Sequence, residues 1–584
     1  MRSTYFDTGA TKRAAPSATT PMMEQFWRAK QEQPDALLFF RMGDFYELFH
    51  EDAHVAAREL GIALTSRSKG EDAIAMAGVP VRSVESYLMR LVQKGFKVAI
   101  CEQLQDPREA KGLVDRAIVR VVTAGTITEE NSLRAREHNY LASFHSSQDS
   151  ACIAWLDVSV GRLRAMLVAP SKAVDELARI DPAELVWSSA ARDADAALAR
   201  ELDDLLGKRV TVRDPWRFER DSARRTLLEH FKVASLEGFG VDDSSPIVPA
   251  AGALLQYVEE TQRSACAHIL RIELVDPSRY LVLDRATRAC LELFATQREG
   301  RREGTLLDTI DATLTPMGGR LLREWLQNPL REVEPILDRQ RAVAELVEAP
   351  FLREELRELL ETVLDVERLA AKVSTARAHA RDLVALCESL EAVAPVRARL
   401  EDAYSTLLAE LRTRLDPLDD VVSRVRKTLV DDPPLAVREG GLVRESFSTE
   451  LDELRSIAGD GKSWMARFQA DEARRTGING LKVGFNSVFG YFIEVPRGQV
   501  ERVPENYTRK QTIKTAERYI TSELKEFETK VLHSEELARD LEHSIYVELR
   551  EAIAREIPRI LQTASALACI DVLSALAQKA AENR

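Results

Sequence analysis

The sequence predicts a multidomain chain, α/β at first and mostly α afterwards. Three observations carry this. The 584 residues exceed what one core organises, since single hydrophobic cores stop growing at roughly 250–300 residues. Up to about residue 270, short apolar runs alternate with amphipathic stretches. From about residue 285 the apolar spacing becomes helical, interrupted by one β-like island at 477–496.

Taken in order, residues 1–20 hold Arg2, Lys12 and Arg13 among Ser, Thr and Ala without an apolar core, so they read as a disordered arm and not a signal peptide. Pro21 opens a short helix with Met22, Met23, Phe26 and Trp27. Leu37–Phe40 is a strand, and Met42-Gly43-Asp44 turns the chain, Gly43 tolerating a backbone angle that other residues resist. A strand over Phe45–Glu47 puts residues 45 and 47 on one face and Tyr46 on the other. On periodicity alone Phe45-Tyr46-Glu47 is a hydrophobic turn, Phe being normally a core residue. Helices are expected at Ala53–Leu60 and Val84–Gln93, the latter ended by Gly95, with strands at Phe96–Cys101 and Ile118–Thr123. The polar loop at 66–70 reads first as a solvated turn.

A second domain starts near Asn139. Ala151–Val158, Leu163–Val168, Leu185–Trp187 and Val210–Val212 are strand-like, and helices follow at about 219–230 and 250–269. In Leu306–Leu330, Thr315 is an N-cap candidate before Pro316. Gly318 and Gly319 suggest close helix packing, although a mobile first turn has the same composition. Residues 334–429 carry little strand signal, and a long helix spans about 449–476 with Leu451, Leu454, Trp464, Met465 and Phe468 as its packing side. The island that follows reads as a hairpin turning at Asn486-Ser487, inserted between this helix and a returning one from Ser522 to about Glu556. Such an arrangement makes a small β-containing tip on long rods.

The formal charge of -13 does not advertise nucleic-acid binding, but a local basic surface is compatible with an acidic chain. Such an enclave exists. Residues 497–518 hold Arg497, Arg502, Arg509, Lys510, Lys514 and Arg518 against Glu501, Glu505 and Glu517. It is a candidate phosphate contact, with a solubilising charge mix as the plain alternative. Six scattered cysteines without a CxxC pair indicate neither a zinc knuckle nor a disulfide framework, and a reducing cytosol fits. No uninterrupted apolar run approaches 18 residues, so no membrane span is predicted.

Enzyme signatures are sparse. Gly461-Lys462-Ser463 mimics a phosphate loop, but Ser456 stands where the first glycine belongs and the context is helical. His50 and His54 are spaced for a metal yet lack further ligands, and read as a surface pair. Neither HExxH nor GxSxG occurs. Asp157 on a sheet invites comparison with two-metal nucleases, which need a cluster of acids; it reads as structural.

GDFYELF (Gly43–Phe49), AMAGVP (Ala75–Pro80) and YLMRLVQKGFKVAICEQ (Tyr87–Gln103) resemble the opening domain of the MutS-type DNA mismatch-repair family. Leu306–Leu330, and above all GINGLKVGFNSVFGYFIEV (477–495) with PENYTRKQTIKTAERYITSELKEFE (504–528), extend the resemblance from about Pro21 to Ile570. It implies a mismatch-binding domain at 21–130 and a ribonuclease-H-like connector at 139–284 that does not cut. It also implies core and lever helices at 285–445, a clamp insertion at 446–518 and returning lever and core helices at 519–584. In that family the Phe of an FxE motif inserts at the mispaired base and the Glu hydrogen-bonds to it; here those are Phe45 and Glu47. Arg67, Ser68, Lys69 and Lys111 become backbone contacts, and Arg497, Arg509, Lys510 and Lys514 the clamp contacts on the opposite side of the duplex.

The implied function is recognition of duplex DNA with a mispair or short loop, in a bacterial cytoplasm at the nucleoid. The implied partners are a second copy of the chain and a downstream protein of the MutL type, with no membrane. Relatives acting in recombination or on stalled translation lack the first domain or its FxE, so the triplet argues for the repair branch. The family carries an ABC-type ATPase domain after the core, where this sequence stops at Arg584. The expectation is therefore no catalytic residue, metal or cofactor in these residues, ATP and Mg2+ belonging to that further domain, with weaker DNA binding and a weak dimer or monomer. Two rivals stand beside this: a helical scaffold, which the net charge favours, and a metal-dependent nuclease built on Asp157.

Overall fold

The computed structural model describes residues 20–67, 73–104, 113–129, 132–147, 150–486, 490–513 and 515–583, with backbone alone for 458–463, 485 and 486. It divides into two compact units. One holds residues 1–375, 392–416 and 557–584, and the other holds 376–391 and 417–556.

In the first unit, β1 (Ala36–Met42), β2 (Phe45–Phe49), β3 (Thr65–Ser66), β4 (Ala75–Pro80), β5 (Lys97–Gln103) and β6 (Arg116–Val122) form a sheet in the order β3-β4-β2-β1-β5-β6. Strand alternation separates two cores. Leu37, Phe39, Tyr46 and Leu48 meet the helices His50–Leu60 and Val84–Gln93, while Leu38, Phe40 and Phe49 meet Met22, Met23 and Phe26 of the helix Pro21–Glu32. Thr20 caps that last helix by accepting from Met23 N–H, and Pro21 supplies the fixed φ of its first residue. The strand β4 is an addition to the sequence reading, as is the two-residue β3.

The second sheet contains β7 (Tyr140–Ser146), β8 (Ala151–Asp157), β9 (Arg162–Val168), β10 (Glu184–Ser188), β11 (Val210–Arg213) and β12 (Ile272–Leu274), ordered β11-β10-β7-β8-β9-β12. Strands β7 and β12 were not expected. The helix anticipated at 250–269 instead spans Ile247–Gln262. Arg263 at φ 53° leaves the helical region and stops it. Asp157 faces inward at 1% exposure. It accepts hydrogen bonds from Asn139 N–H (3.2 Å) and from Ser159 N–H (3.0 Å) and Oγ (2.7 Å), and pairs with His138 Nδ1 (2.8 Å). Burial works against its ionisation, but the His138 and Ser159 hydrogen bonds and the Arg368 charge outweigh this and hold its carboxyl well below the usual range. The residue is committed to structure, and the nuclease reading loses the one acid it rested on.

The helices around Pro316–Gln327 close on Ile557–Glu582. Thr315 caps the former, its Oγ1 accepting from Gly318 N–H at 2.9 Å. Buried Asp571 on the latter accepts from Leu314 N–H (3.0 Å), Thr315 N–H (2.8 Å) and Thr315 Oγ1 (2.7 Å). A side chain at 318 would overlap that carboxylate, and one at 319 would stand 2.8 Å from Arg136 Cγ. Close approach, and not a mobile turn, explains the two glycines. The helix Ile557–Glu582 is long and apolar enough to span a membrane, with a mean hydropathy of 1.7 over its apolar window, but 72% of that window is buried. It is a core helix, apolar all round because it is covered all round.

The second unit centres on two long helices, Thr449–Thr476 and Ser522–Ala554. The first runs without a break through Gly461-Lys462-Ser463, a backbone that no phosphate loop adopts. Leu451 and Phe468 are buried, and Leu454, Trp464 and Met465 are half-buried, so this helix packs through the expected side. Trp464 stacks between Phe468 and Phe527 at 4.7 and 3.6 Å between centroids. At their end lies a sheet of β13 (Lys482–Asn486), β14 (Gly490–Pro496), β15 (Thr508–Thr512) and β16 (Ala516–Ile520), ordered β13-β14-β16-β15. The β13–β14 hairpin closes on the pair Asn486 and Gly490. Its connection is therefore 487–489, outside the described residues, and not the two-residue turn Asn486-Ser487.

Candidate nucleic-acid interface

The β1–β2 hairpin is a two-residue turn, Gly43-Asp44, closed by the pair Met42 and Phe45, with Gly43 at φ 60°. Arg41 Nε donates to Gly43 O, and Val81 N–H donates to Asp44 O at 3.0 Å, tying the turn at both ends. Beyond it β2 alternates. Tyr46 and Leu48 are buried on one face; on the other Phe49 is fully buried, Glu47 is half-buried and Phe45 is 47% exposed. The helix Pro21–Glu32 covers Phe49 but not the two residues nearer the turn. An aromatic ring and a carboxylate thus emerge side by side from the uncovered end of a packed sheet face.

The strand β4 runs alongside, pairing Phe45 with Pro80 and Glu47 with Gly78. Both partners are exposed, and a Cβ on Gly78 would lie 3.8 Å from Phe45 Cδ1. Gly78 keeps the floor beside the ring flat. These two residues were in the quoted AMAGVP motif, yet sequence reasoning gave them no role; their alternation with buried Ala77 and Val79 was the available signal. Behind the hairpin, Tyr46 Oη donates to Glu102, which also pairs with Arg41 at 3.6 Å, while the Arg41 guanidinium lies 5.4 Å from the Tyr46 ring. That brace on the buried face was likewise not foreseen.

Arg67 reaches Glu47 from 20 positions along the chain, Nη1 to Oε2 at 3.3 Å, and sits 5.8 Å over the Phe49 ring. Burial pushes the Glu47 carboxyl up, the Arg67 charge opposes this, and the net shift is upward. Arg67 is therefore beside Glu47, one of the two candidate recognition residues. Ser68, Lys69 and Lys111 lie outside the described residues. His50, next to Phe49, is packed 4.9 Å from the Trp27 ring, whereas His54 is exposed.

In the second unit, Arg509 and Lys510 stand on β15, the edge strand of its sheet, and are exposed. Arg509 pairs with Glu517 at 3.5 Å and remains 63% exposed. Arg497 opens the short helix Arg497–Arg502 and is also exposed. Neither Arg497 nor Lys510 has an ion-pair partner among the described residues. Lys514 lies outside them. Arg518, counted in the same enclave, is instead tied to Glu494 at 3.2 Å and lies 4.2 Å over the Phe492 ring.

Three family models match the chain: MutS domain I over residues 20–131, MutS domain II over 139–270 and MutS domain III over 286–577. The chain is 44% identical over 571 residues to the DNA mismatch repair protein MutS of Symbiobacterium thermophilum, covering 97% of this chain and 65% of that protein. It is 44% identical over 574 residues to the protein of the same name from Halothermothrix orenii, covering 97% and 63%. A third relative of that name, from Acetivibrio thermocellus, is 42% identical over 569 residues, covering 97% and 65%. The chain thus spans just under two thirds of the length of these curated relatives.

Proposed function

The chain belongs to the MutS family, and from that premise we propose that it recognises duplex DNA carrying a mispair or a short unpaired loop, to initiate mismatch repair. The observation that carries the reading is the exposed Phe45 ring beside the half-buried Glu47 on a sheet packed on both faces. An aromatic wedge entering from the minor groove unstacks one base step, which costs a few kcal/mol in a regular duplex and less where a mispair has already weakened stacking. Selectivity then comes from the deformability of the site. Glu47 accepts a hydrogen bond from the displaced base. A carboxylate near phosphates is unfavourable without that bond, so it discriminates more than it attracts.

Arg67 supplies a backbone contact beside Glu47, and the family resemblance assigns the same role to Ser68, Lys69 and Lys111. Arg497, Arg509, Lys510 and Lys514 supply backbone contacts from the second unit. Such contacts fix register and add salt-dependent affinity without reading sequence. The same reading gives the protein a homodimeric assembly on DNA and a partner of the MutL type.

Competition binding of a homoduplex against the same duplex with one G·T pair or one extra base tests this. Phe45→Ala is expected to lower affinity for the mismatched duplex by about tenfold, as expected from the loss of one base–aromatic stack of roughly 1–3 kcal/mol. Homoduplex affinity stays nearly unchanged. Equal loss on both duplexes would remove the wedge.

A further inference from the structure

A cavity of about 700 Å³ opens in the first unit, walled by Gly95–Lys97 at the start of β5, by 132–139, and by β11 with the residues before it. Its size is that of a small-molecule site. Five cations line it: Lys94, Lys97, Arg134, Lys208 and Arg209. Three are already paired, Lys94 with Glu59 (3.0 Å), Arg134 with Glu137 (3.0 Å) and Arg209 with Asp181 (2.8 Å). Lys97 and Lys208 have no carboxylate within 4.0 Å among the described residues. We propose that this cavity binds a small phosphate-bearing anion, held by Lys97 and Lys208.

Lys97 carries the argument. Its stem is packed in the wall, and its Nζ lies 5.9 Å over the Tyr257 ring, which Arg213 also approaches at 5.0 Å. The nitrogen makes no hydrogen bond among the described residues, and Lys97 is part of the cavity lining. The nearby Glu184 does not satisfy it. That carboxylate is fully committed, accepting from Thr123 Oγ1, Gly125 N–H (3.1 Å), Thr211 Oγ1 (2.6 Å) and Tyr257 Oη (2.6 Å). Burial pushes the Lys97 ammonium down and the Arg213 charge adds to this, while Glu184 and Asp35, both also in the lining, oppose it, so that the net shift is downward. A desolvated ammonium facing a cavity is stabilised by an anion placed there.

Lys208 lines the same space, its stem running alongside Gly95. Two ammonium groups are point charges without the planar fork that matches a carboxylate, and they suit a compact dianion. Met89, Val92, Ile127 and Val210 offer apolar surface to an organic remainder. The inference does not depend on the DNA reading.

Calorimetric titration of the full chain with pyrophosphate at low salt is the test. Saturable binding is expected, weakened about tenfold or more by Lys97→Met and by Lys208→Met, as for the loss of one charge-assisted contact. Lys97→Arg retains the charge and most of the binding, and Lys232→Met, an exposed lysine outside the cavity, changes nothing. Circular dichroism and melting confirm that each variant is folded. Absence of saturable binding overturns the proposal, as does binding that Lys97→Met leaves intact. Loss of affinity for homoduplex DNA in both lysine variants, without pyrophosphate binding, would reassign the cavity wall to a DNA contact and also overturn it.

Discussion

Glu47 sits between two opposing influences: burial raises its carboxyl pKa, and Arg67 at 3.3 Å lowers it, with the net shift upward from the ordinary glutamate range. The group is ionised above that raised pKa and increasingly protonated below it. If the carboxylate accepts a hydrogen bond from the displaced base, the preference for mismatched over matched duplex is present at neutral pH. It then declines as pH falls through the raised value. The decline is expected to set in at a higher pH than that of an unperturbed glutamate, near 4.3, because the shift is upward. Glu47→Gln is expected to flatten the profile, and fluorescence anisotropy on the two duplexes measures both. A preference that rises on acidification would mean that protonated Glu47 donates the bond. The pairing of Phe45 with Glu47 was legible in the sequence because i and i+2 on a strand share a face. The Arg67 contact was not, since only the fold brings a residue 20 positions away onto that carboxylate.

At the scale of elements, legibility followed length and burial. The helices Val84–Gln93 and Thr449–Thr476 emerge at the expected residues because several turns repeat one apolar spacing and a glycine follows each. Strand β7, Tyr140–Ser146, mixes Ala, Ser and His among its apolar residues and gives no clean alternation although most of it is buried. Strand β15, Thr508–Thr512, is nearly all exposed, and its pairing with β16 shifts register between Arg509 and Gln511. Its lysine and arginine were legible as charge, while the edge strand presenting them was hidden by that same charge. The glycines of Pro316–Gln327 were ambiguous until Asp571 appeared against Gly318. Gly318→Ala is therefore expected to cost about 3 kcal/mol, an overpacking penalty added to a displaced buried carboxylate. Urea unfolding measures it. A loss below about 0.5 kcal/mol, the level of a neutral surface change, would mean that the two helices separate freely.

Across the whole molecule, the residues proposed to discriminate, 45 and 47, lie in one compact unit together with Arg67, and the proposed clamp contacts 497, 509 and 510 lie in the other. With a formal charge of -13 the chain as a whole repels DNA, so attraction has to come from local cations that displace counterions. The two properties are then separable. Each phosphate neutralised contributes about 0.9 to the slope of log affinity against log salt. Arg509→Ala with Lys510→Ala is expected to lower that slope by between one and two and to weaken matched and mismatched duplexes by the same factor. The loss from Arg509 is the smaller of the two, because Glu517 already takes part of its charge at 3.5 Å. Phe45→Ala does the converse: the ratio between duplexes falls and the slope stays. Binding isotherms at three or four salt concentrations distinguish the two patterns. If the double substitution reduced the mismatch ratio at constant salt, the cations would be reading the deformed duplex as well as its charge, and discrimination would belong to both units.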